Sequence, residues 1–327
     1  MERILVCGGA GYIGSHMVRR LLDEGFEVAV FDNFETGHRE AVADGVEIFE
    51  GNLQNPRDVK NALESRAFDA VFHFAARIQV GESVTDPALY YGNNVGGTLN
   101  LLKAMVDRGI GRFVFSSSAA VYGTPVEIPI REDHPLAPIN PYGWTKRMVE
   151  QVLADFWQAY GLASVSLRYF NACGADPQGR VGESHDPETH LIPNILKNAL
   201  SGSGEPVTIF GNDYPTPDGT CVRDYVHVCD LAEAHLEALG SMKASPGARA
   251  YNLGNGKGFS VREVLSAAEK VLGRAIPSRI TARREGDPAF LVADSGLAGH
   301  ELGWRPRFTS LEEILRTALD WHRHPRY

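Results

Sequence analysis

Short apolar runs alternate with amphipathic helical stretches through the first half of the chain. The run Ile4-Leu5-Val6 precedes an apolar-periodic stretch over 12–22 and a second run over 28–31, which predicts a βαβ unit. Further runs, typical of parallel strands buried on both faces, lie at 46–49, 70–74, 113–115 and 164–167, and helical stretches lie between them at 57–65, 91–107 and 142–160. The pattern predicts an α/β fold with a doubly wound parallel sheet of the Rossmann type.

The texture of the chain changes after Asn171, where loops rich in Gly, Pro and Asp occupy 174–187 and 211–219. Shorter helices and strands separate these loops, which predicts a smaller C-terminal α/β lobe. We therefore expect residues 1–171 to form a nucleotide-binding domain and 172–327 to form mainly a substrate-binding lobe. The segment at about 224–245 contains a helical stretch from Val228 to Leu239 and is expected to pack back on the first domain.

Composition and charge narrow the class of protein. The 327 residues are 43% hydrophobic and 22% charged, as in ordinary globular proteins. A net charge of −9 argues against nucleic-acid and membrane-surface partners, which need a basic face. An anionic substrate would then need a local basic pocket.

Location and metal content can also be predicted from the sequence. No apolar run approaches the roughly 20 residues of a membrane-spanning helix, and the start Met1-Glu2-Arg3 is unlike a secretion signal, so we expect a cytoplasmic protein. Four cysteines lack any CxxC pair or histidine partner at zinc-ligand spacing. We expect them to be reduced structural thiols and predict no metal site; they are Cys7, Cys173, Cys221 and Cys229.

A glycine-rich sequence follows the first predicted strand and opens the first helix. Gly8, Gly11 and Gly14 are spaced as GxxGxxG, so the backbone can turn tightly and bring free N–H groups and the helix dipole to a pyrophosphate. Asp32 ends the second strand about 24 residues after Gly8, where a carboxylate would bind a ribose diol and repel a 2′-phosphate. The sequence predicts a dinucleotide site that prefers NAD to NADP.

Tyr142 and Lys146 form a second chemical pattern. Their spacing of four places both on one face of a predicted helix. A tyrosine with a pKa of about 10 is a poor base, and a shift of about 3 units needs roughly 4 kcal/mol, which one ammonium about 4 Å away supplies at an effective dielectric of 20. Ser116 to Ser118 follow the strand at 113–115, at the sheet edge where ligands bind. Together they predict a proton-transfer site on Tyr142.

These residues resemble the UDP-glucose 4-epimerase family, within the extended short-chain dehydrogenases, over essentially the full chain. The resemblance rests on the segments GGAGYIGSH, FDN, HFAA, VGESV, NNVGGT, FSSSAAVYG, PYGWTK, LRYFNACGA, IFGNDYPTPDGTCVRDYVHV, YNLGNG and RREGDPA. It implies a reversible C4 epimerisation of UDP-glucose and UDP-galactose through a 4-keto sugar, with a retained NAD. It also implies a homodimer formed by a four-helix bundle, for which the helices at 91–107 and 142–160 are the candidates, with apolar residues Leu99, Leu102, Met148 and Leu153.

The resemblance also implies roles for individual residues. Tyr142 is the base, Lys146 its ribose-binding and charge-tuning partner, and Ser118 the hydroxyl beside the sugar. The cofactor is expected to contact Gly8, Gly11, Tyr12, Ile13, Gly14, Asp32, Asn33, Asn52, Leu53, Phe74, Ala75, Ala76, Asn93, Ser116, Tyr142, Lys146 and Tyr169. The nucleotide sugar is expected to contact Ser118, Tyr142, Tyr169, Asn171, His190, Leu191, Phe210, Arg223, Arg284, Asp287 and Leu291.

Four positions depart from the family pattern. Asn52 stands where an aspartate would receive the adenine amino group, and Ile78 where some members carry a phosphate-binding lysine, with Arg77 one position earlier. His190 replaces an asparagine on the substrate side. Leu291 occupies the position where tyrosine restricts members to unmodified hexoses and a smaller residue admits N-acetyl groups, so N-acetylated and pentose substrates stay open.

Other activities compete with epimerisation. A sugar-nucleotide 4,6-dehydratase needs an added acid and base after the serine, but the chain has Ala119 and Ala120 there, which disfavours dehydration and also decarboxylation. A catalytically silent NAD-binding regulator would usually lack Tyr142 or Lys146, and both are present.

Overall fold

The computed structural model describes residues 2–202, 204–284 and 287–327. Two residues of the RREGDPA segment, Glu285 and Gly286, lie outside these ranges. The strands are β1 Arg3–Cys7, β2 Glu27–Asp32, β3 Glu47–Glu50, β4 Ala70–His73, β5 Arg112–Ser118, β6 Ala163–Tyr169, β7 Asn171–Cys173, β8 Val207–Phe210, β9 Val222–His227, β10 Ala248–Leu253, β11 Gly258–Ser260, β12 Ser278–Thr281 and β13 Phe290–Leu291.

The helices begin with α1 after the glycine loop. They are α1 Tyr12–Asp23, α2 Pro56–Ser65, α3 Val80–Thr85, α4 Pro87–Tyr90, α5 Thr98–Asp107, α6 Pro141–Tyr160, α7 Leu191–Ser201, α8 Val228–Ala244, α9 Val261–Leu272, α10 Gly296–Glu301 and α11 Leu311–Arg323. A π-helix, Tyr91–Gly97, precedes α5, so the helix expected over 91–107 changes its winding inside the segment that carries Asn93. Among the described residues, no helix is both long and apolar enough to cross a membrane.

A seven-stranded sheet forms the centre of the molecule, in the order β10-β6-β5-β4-β1-β2-β3. All its neighbouring strands are parallel. The predicted doubly wound Rossmann-type sheet is therefore confirmed, and the runs from 4–6 to 164–167 are its strands β1 to β6. The seventh strand, β10, comes from the second half of the chain and was not predicted.

Helices cover both faces of this sheet because its strands are apolar on both sides. Met17 and Leu21 of α1 pack with Leu231 and Ala238 of α8 in one buried cluster. On the other face, α2, α5 and α6 share a cluster whose central residues include Leu63, Leu102 and Leu153. The helical stretch at 228–239 lies within α8, which packs on α1.

The second lobe has its own apolar core. Strands β7, β11 and β13 surround β9, and β8 pairs separately with β12. Residues of α7, α9 and α11, among them Ile195, Val264 and Leu315, pack against this lobe's strands in a third buried cluster. Since β7 follows β6 after one residue, the second lobe begins at the carboxyl edge of the large sheet.

Candidate active site

The glycine loop turns tightly at the carboxyl end of β1. Gly8 has a φ of +78°, and a Cβ at this residue would lie 2.5 Å from the backbone nitrogen of Ala75. A Cβ at Gly14 would lie 2.0 Å from the carbonyl oxygen of Gly8, so helix α1 can approach the loop only without side chains there. Gly11 is the N-cap of α1 and makes no side-chain capping bond, which leaves the first N–H groups of α1 directed at the loop mouth.

Asp32 fixes the loop from the end of β2. Its Oδ2 accepts a hydrogen bond from Ala10 N at 2.9 Å, and its Oδ1 accepts one from Phe34 N at 2.9 Å. Burial raises the pKa of the Asp32 carboxyl, and these backbone donors oppose that rise. Each carboxylate oxygen can accept a second bond, so Asp32 is suited to hold a ribose diol as well as the loop.

The other residues expected to hold a cofactor lie along the same edge, because the carboxyl ends of parallel strands lie together. Asn33 follows β2, Asn52 and Leu53 follow β3, and 74–76 follow β4. The side-chain Oδ1 of Asn52 accepts the N–H of Gln54 at 2.9 Å, and Gln54 Nε2 donates to Asn93 Oδ1 at 3.4 Å. A glycine cradle, a helix N-terminus and a strand-end carboxylate on one edge fit a bound dinucleotide.

Helix α6 brings the predicted base to this edge. Asn140 Oδ1 accepts the N–H of Gly143 at 2.8 Å, and Pro141 is the first helical residue, so the helix begins one residue before the predicted start at Tyr142. A Cβ at Gly143 would lie 2.5 Å from the carbonyl oxygen of Ala120. The glycine therefore lets α6 contact the turn that directly follows Ser118.

The hydroxyls of Tyr142 and Ser118 lie near each other, and Ser118 acts as a hydrogen-bonding neighbour that lowers the pKa of Tyr142. Ser118 Oγ accepts the N–H of Ala120 at 3.2 Å, so its hydroxyl hydrogen is free to point at Tyr142. Burial raises the pKa of Tyr142, and the Ser118 bond opposes that rise. The predicted lowering of this pKa involves Lys146 together with the positive charge of an oxidised nicotinamide, and it stays a prediction.

Lys146 lies below the ring of Tyr142. Its Nζ donates to the carbonyl oxygen of Ser116 at 2.7 Å and lies 5.8 Å from the Tyr142 ring centre. Burial lowers the pKa of Lys146 to about 7, with the charge of Glu150 opposing. Tyr169 donates to Ser116 Oγ. Ser116 therefore connects Tyr169 with Lys146, and both are residues predicted to contact the cofactor.

A buried polar network joins α6 to β6, and the sequence analysis did not predict it. Glu150 forms an ion pair with Arg168, whose Nη1 donates to Tyr122 Oη at 2.9 Å, and Ser117 Oγ donates to Glu150 Oε1 at 2.6 Å. Two signals were available: Glu150 repeats the four-residue spacing of Tyr142 and Lys146, and Arg168 interrupts an apolar strand.

A cavity of about 620 Å³ opens in the second lobe. Arg223 Nη2 lies 2.6 Å from Asp287 Oδ1, and the Arg284 guanidinium lies 4.0 Å above the Phe210 ring centre. These two arginines supply the local positive charge that an anionic ligand of an acidic protein needs. The cavity is lined by seven of the residues expected on the substrate side: Asn171, His190, Leu191, Phe210, Arg223, Arg284 and Asp287.

Leu291 connects the cavity residue Arg223 with the turn that follows Ser118. It is paired with Arg223 between β13 and β9. Its side chain packs against a buried cluster that includes Ala119 and Tyr122, directly after Ser118.

Comparisons with known proteins define the class. The chain belongs to the NAD-dependent epimerase/dehydratase family, whose model matches residues 4–254. Within that class it is 50% identical to the UDP-glucose 4-epimerase of Halalkalibacterium halodurans, over 98% of this chain and 96% of that protein.

Solved structures agree with this placement. A UDP-glucose 4-epimerase from Brucella ovis in complex with NAD superposes with a TM-score of 0.94 at 47% identity, covering 98% of each chain. One from Bifidobacterium longum in complex with NAD⁺ and UDP has a TM-score of 0.93 at 39% identity, again covering 98% of each chain.

Proposed function

We propose that this chain catalyses the reversible C4 epimerisation of UDP-glucose and UDP-galactose with a retained NAD. The observation that carries the proposal is that Tyr142, Ser118 and Lys146 meet at the carboxyl end of β5. This is the same sheet edge as the glycine loop, and the arginine-bearing cavity begins beside it. The epimerase relatives and the NAD-bound structures support this choice of reaction.

The chain's own residues would manage the proton at O4. Tyr142 accepts it and Ser118 shares it, because the Ser118 hydroxyl is near enough to Tyr142 to lower its pKa. The turn Ala119–Val121 after Ser118 contributes no carboxylate, so it offers no acid and base for dehydration. NAD, when bound, would take hydride from C4 and return it to the opposite face of the ring.

The sugar ring can present its opposite face to the cofactor only if the other end of the substrate stays tightly bound. Arg223, Arg284 and the ring of Phe210 line the cavity and would bind the uridine diphosphate. The sugar would lie towards Ser118 and Tyr142, beside apolar Leu291. Few polar partners there would leave the 4-keto ring free to swing about its diphosphate link.

The first test uses the purified protein with no added cofactor. Equal amounts of UDP-galactose and UDP-N-acetylgalactosamine are incubated with it, and both anomeric signals are followed by proton NMR. We expect UDP-glucose to form. Unchanged signals for both substrates, even after NAD is supplied, would exclude a hexose 4-epimerase and favour the dehydratase, pentose or silent-regulator alternatives.

We propose that Leu291 sets the substrate range. It is smaller than the tyrosine of strict members and larger than the residues of permissive ones, so wild type is expected to prefer unmodified hexoses. In the same NMR experiment, Leu291→Ser is expected to raise the rate on the N-acetylated sugar, and Leu291→Tyr to abolish it. Equal rates on that sugar for all three proteins would remove Leu291 from specificity.

We also propose a homodimer built on α5 and α6. Leu99 and Met148 are 39% and 40% exposed, and Trp144, one turn before Met148, is 42% exposed, whereas Leu102 and Leu153 are buried in the monomer core. Light scattering after gel filtration is expected to give a dimer that Met148→Glu dissociates. The control Ile280→Glu alters another exposed apolar residue and should leave the dimer intact.

We propose that residues 1–171, joined by α8 and β10, hold NAD and that most of 172–327 binds the nucleotide sugar. The four cysteines are free thiols, as is usual in a reducing compartment, which supports a cytoplasmic location. Fractionation of the source cells would test it.

A further inference from the structure

Four potential metal ligands converge in the segment that joins β7 to α7. Glu183, His185, Glu188 and His190 occur within eight residues, and one ligand atom from each lies within 4.8 Å of all the others. No helix or strand runs through this segment. Regular hydrogen bonding therefore does not explain why the four side chains point to one place.

The spacing of these atoms matches a coordination shell. His190 Nδ1 lies 2.8 Å from Glu183 Oε1 and 3.3 Å from Glu188 Oε1. His185 Nδ1 lies 3.3 Å and 3.8 Å from the same two oxygens. Ligands about 2.0–2.1 Å from a tetrahedral zinc ion are about 3.3 Å apart, which falls within the observed range.

A second observation also indicates a ligand. The Glu183 side chain is only 5% exposed, and its Oε1 is buried without a hydrogen bond from any described residue. The Nδ1 atoms of His185 and His190 are likewise buried without one. A buried carboxylate oxygen and two ring nitrogens that face one another without hydrogen-bond geometry would be costly, and a cation between them removes that cost.

We propose that these four residues bind one divalent transition-metal ion, with zinc the best match. Two imidazole nitrogens and two carboxylate oxygens suit zinc, whereas Mg²⁺ and Ca²⁺ prefer oxygen ligands alone. The two glutamates carry two negative charges, which the ion neutralises. The competing explanation is a pair of protonated histidines that neutralise the same carboxylates without a metal.

Neighbouring groups hold the ligands in position. Glu188 Oε1 accepts the N–H groups of Thr189 and His190 at 2.9 and 3.0 Å, and Lys197 Nζ lies 3.5 Å from Glu188 Oε2. The carbonyl oxygen of Glu183 accepts Trp321 Nε1 at 3.0 Å. Such supporting bonds orient first ligands in metal sites.

The position of the site assigns it a structural role. Glu183, Glu188 and His190 line the second-lobe cavity. The ring of His185 packs edge to face against the ring of Tyr12, the first residue of α1, with 6.2 Å between the ring centres. The ion would therefore fix one cavity wall against the glycine-loop helix. This inference does not depend on the proposed reaction.

The first experiment measures metal in tag-free protein by mass spectrometry. We expect about one zinc per chain, loss of the ion to a strong chelator, and a fall in the melting temperature of about 5 °C that added Zn²⁺ reverses. Co²⁺ added to the stripped protein should give the visible absorption of a tetrahedral site. A stripped protein that neither gains stability with Zn²⁺ nor colours with Co²⁺ would overturn the proposal and favour the ion-pair explanation.

Variants locate the site. Glu183→Gln and His185→Asn are expected to lose zinc at least tenfold, whereas the control His300→Asn, at an exposed histidine on α10, should retain it. Equal zinc content in all three variants would place the ion elsewhere and refute the assignment. If a variant fails to fold, the chelation and re-addition experiment on the wild-type protein decides.

Discussion

Arg168 Nη2 lies 2.7 Å from Glu150 Oε2, and each side chain is only 6% exposed. Glu150 lies on α6, one turn after Lys146, and Arg168 lies on β6, so the pair joins that helix to that strand. Because Ser117 and Tyr122 bond to the same two side chains, the pair positions the turn that presents Ser118. It therefore links the stability of the sheet to the geometry of the proposed catalytic residues.

Removing one member of this pair should leave the other as a buried charge without a partner. Arg168→Met is expected to lower the free energy of unfolding by about 3–5 kcal/mol, measured by urea denaturation. The double variant Glu150→Gln, Arg168→Met leaves no unpaired charge and should lose less than Arg168→Met. A double variant that loses the sum of both single effects would contradict the interpretation as a coupled pair.

Tyr142→Phe should remove the proton acceptor and keep the nucleotide site. We expect turnover to fall by about 10²–10⁴-fold, while the NAD released on denaturation stays at the wild-type amount. Tyr160→Phe, at the exposed end of the same helix, is the matched control and should be fully active. Unchanged turnover in Tyr142→Phe would favour the silent regulator.

Lys146 should make stability depend on pH in the nucleotide-free protein. Its pKa is about 7 when folded and about 10.4 in an unfolded chain, so the unfolded state binds more protons between these values and stability rises with pH. From pH 7 to 9 the wild type should gain about 2 kcal/mol relative to Lys146→Met in urea denaturation. Parallel pH profiles for the two proteins would show that Lys146 stays charged when folded.

Arg77 should help to retain the cofactor. Its Nη2 lies 2.7 Å from Glu35 Oε2, and the pair joins segments after β2 and β4, the two neighbours of β1. Arg77→Ala should speed the loss of NAD, measured as nucleotide retained after repeated gel filtration. The control Arg131→Ala breaks a surface pair with Asp133 and should retain wild-type amounts. If both variants retain NAD equally, Arg77 does not hold the cofactor.

The parts of the fold that depend on local pattern could be predicted from the sequence. The first six strands, the helices between them and, to within one residue, the start of α6 follow from apolar periodicity, capping and parallel-strand burial. The strand β10 could not be predicted, because its place beside β6 depends on a pairing between residues more than eighty positions apart. Nothing in the segment 248–253 itself names that partner.

The same distinction between local and long-range features applies to the candidate site. The glycine loop and the Tyr142–Lys146 spacing are local, so both were found. The raised pKa of Tyr142 was not, because it depends on burial by the whole fold. The His and Glu cluster at 183–190 could have been predicted, since its residues are close in the chain, but the prediction of no metal site rested on the cysteines alone.

Because β10 comes late in the sequence, the large sheet cannot be completed early during synthesis of the chain. The large sheet lacks its edge strand until residue 253 has left the ribosome, by which time β7, β8 and β9 of the other lobe have already been synthesised. An amino-terminal fragment ending at 171 would expose the edge of β6 and the apolar surface that α8 covers. We therefore expect such a fragment to aggregate or to recruit chaperones, and the nascent chain to need shielding over the same interval.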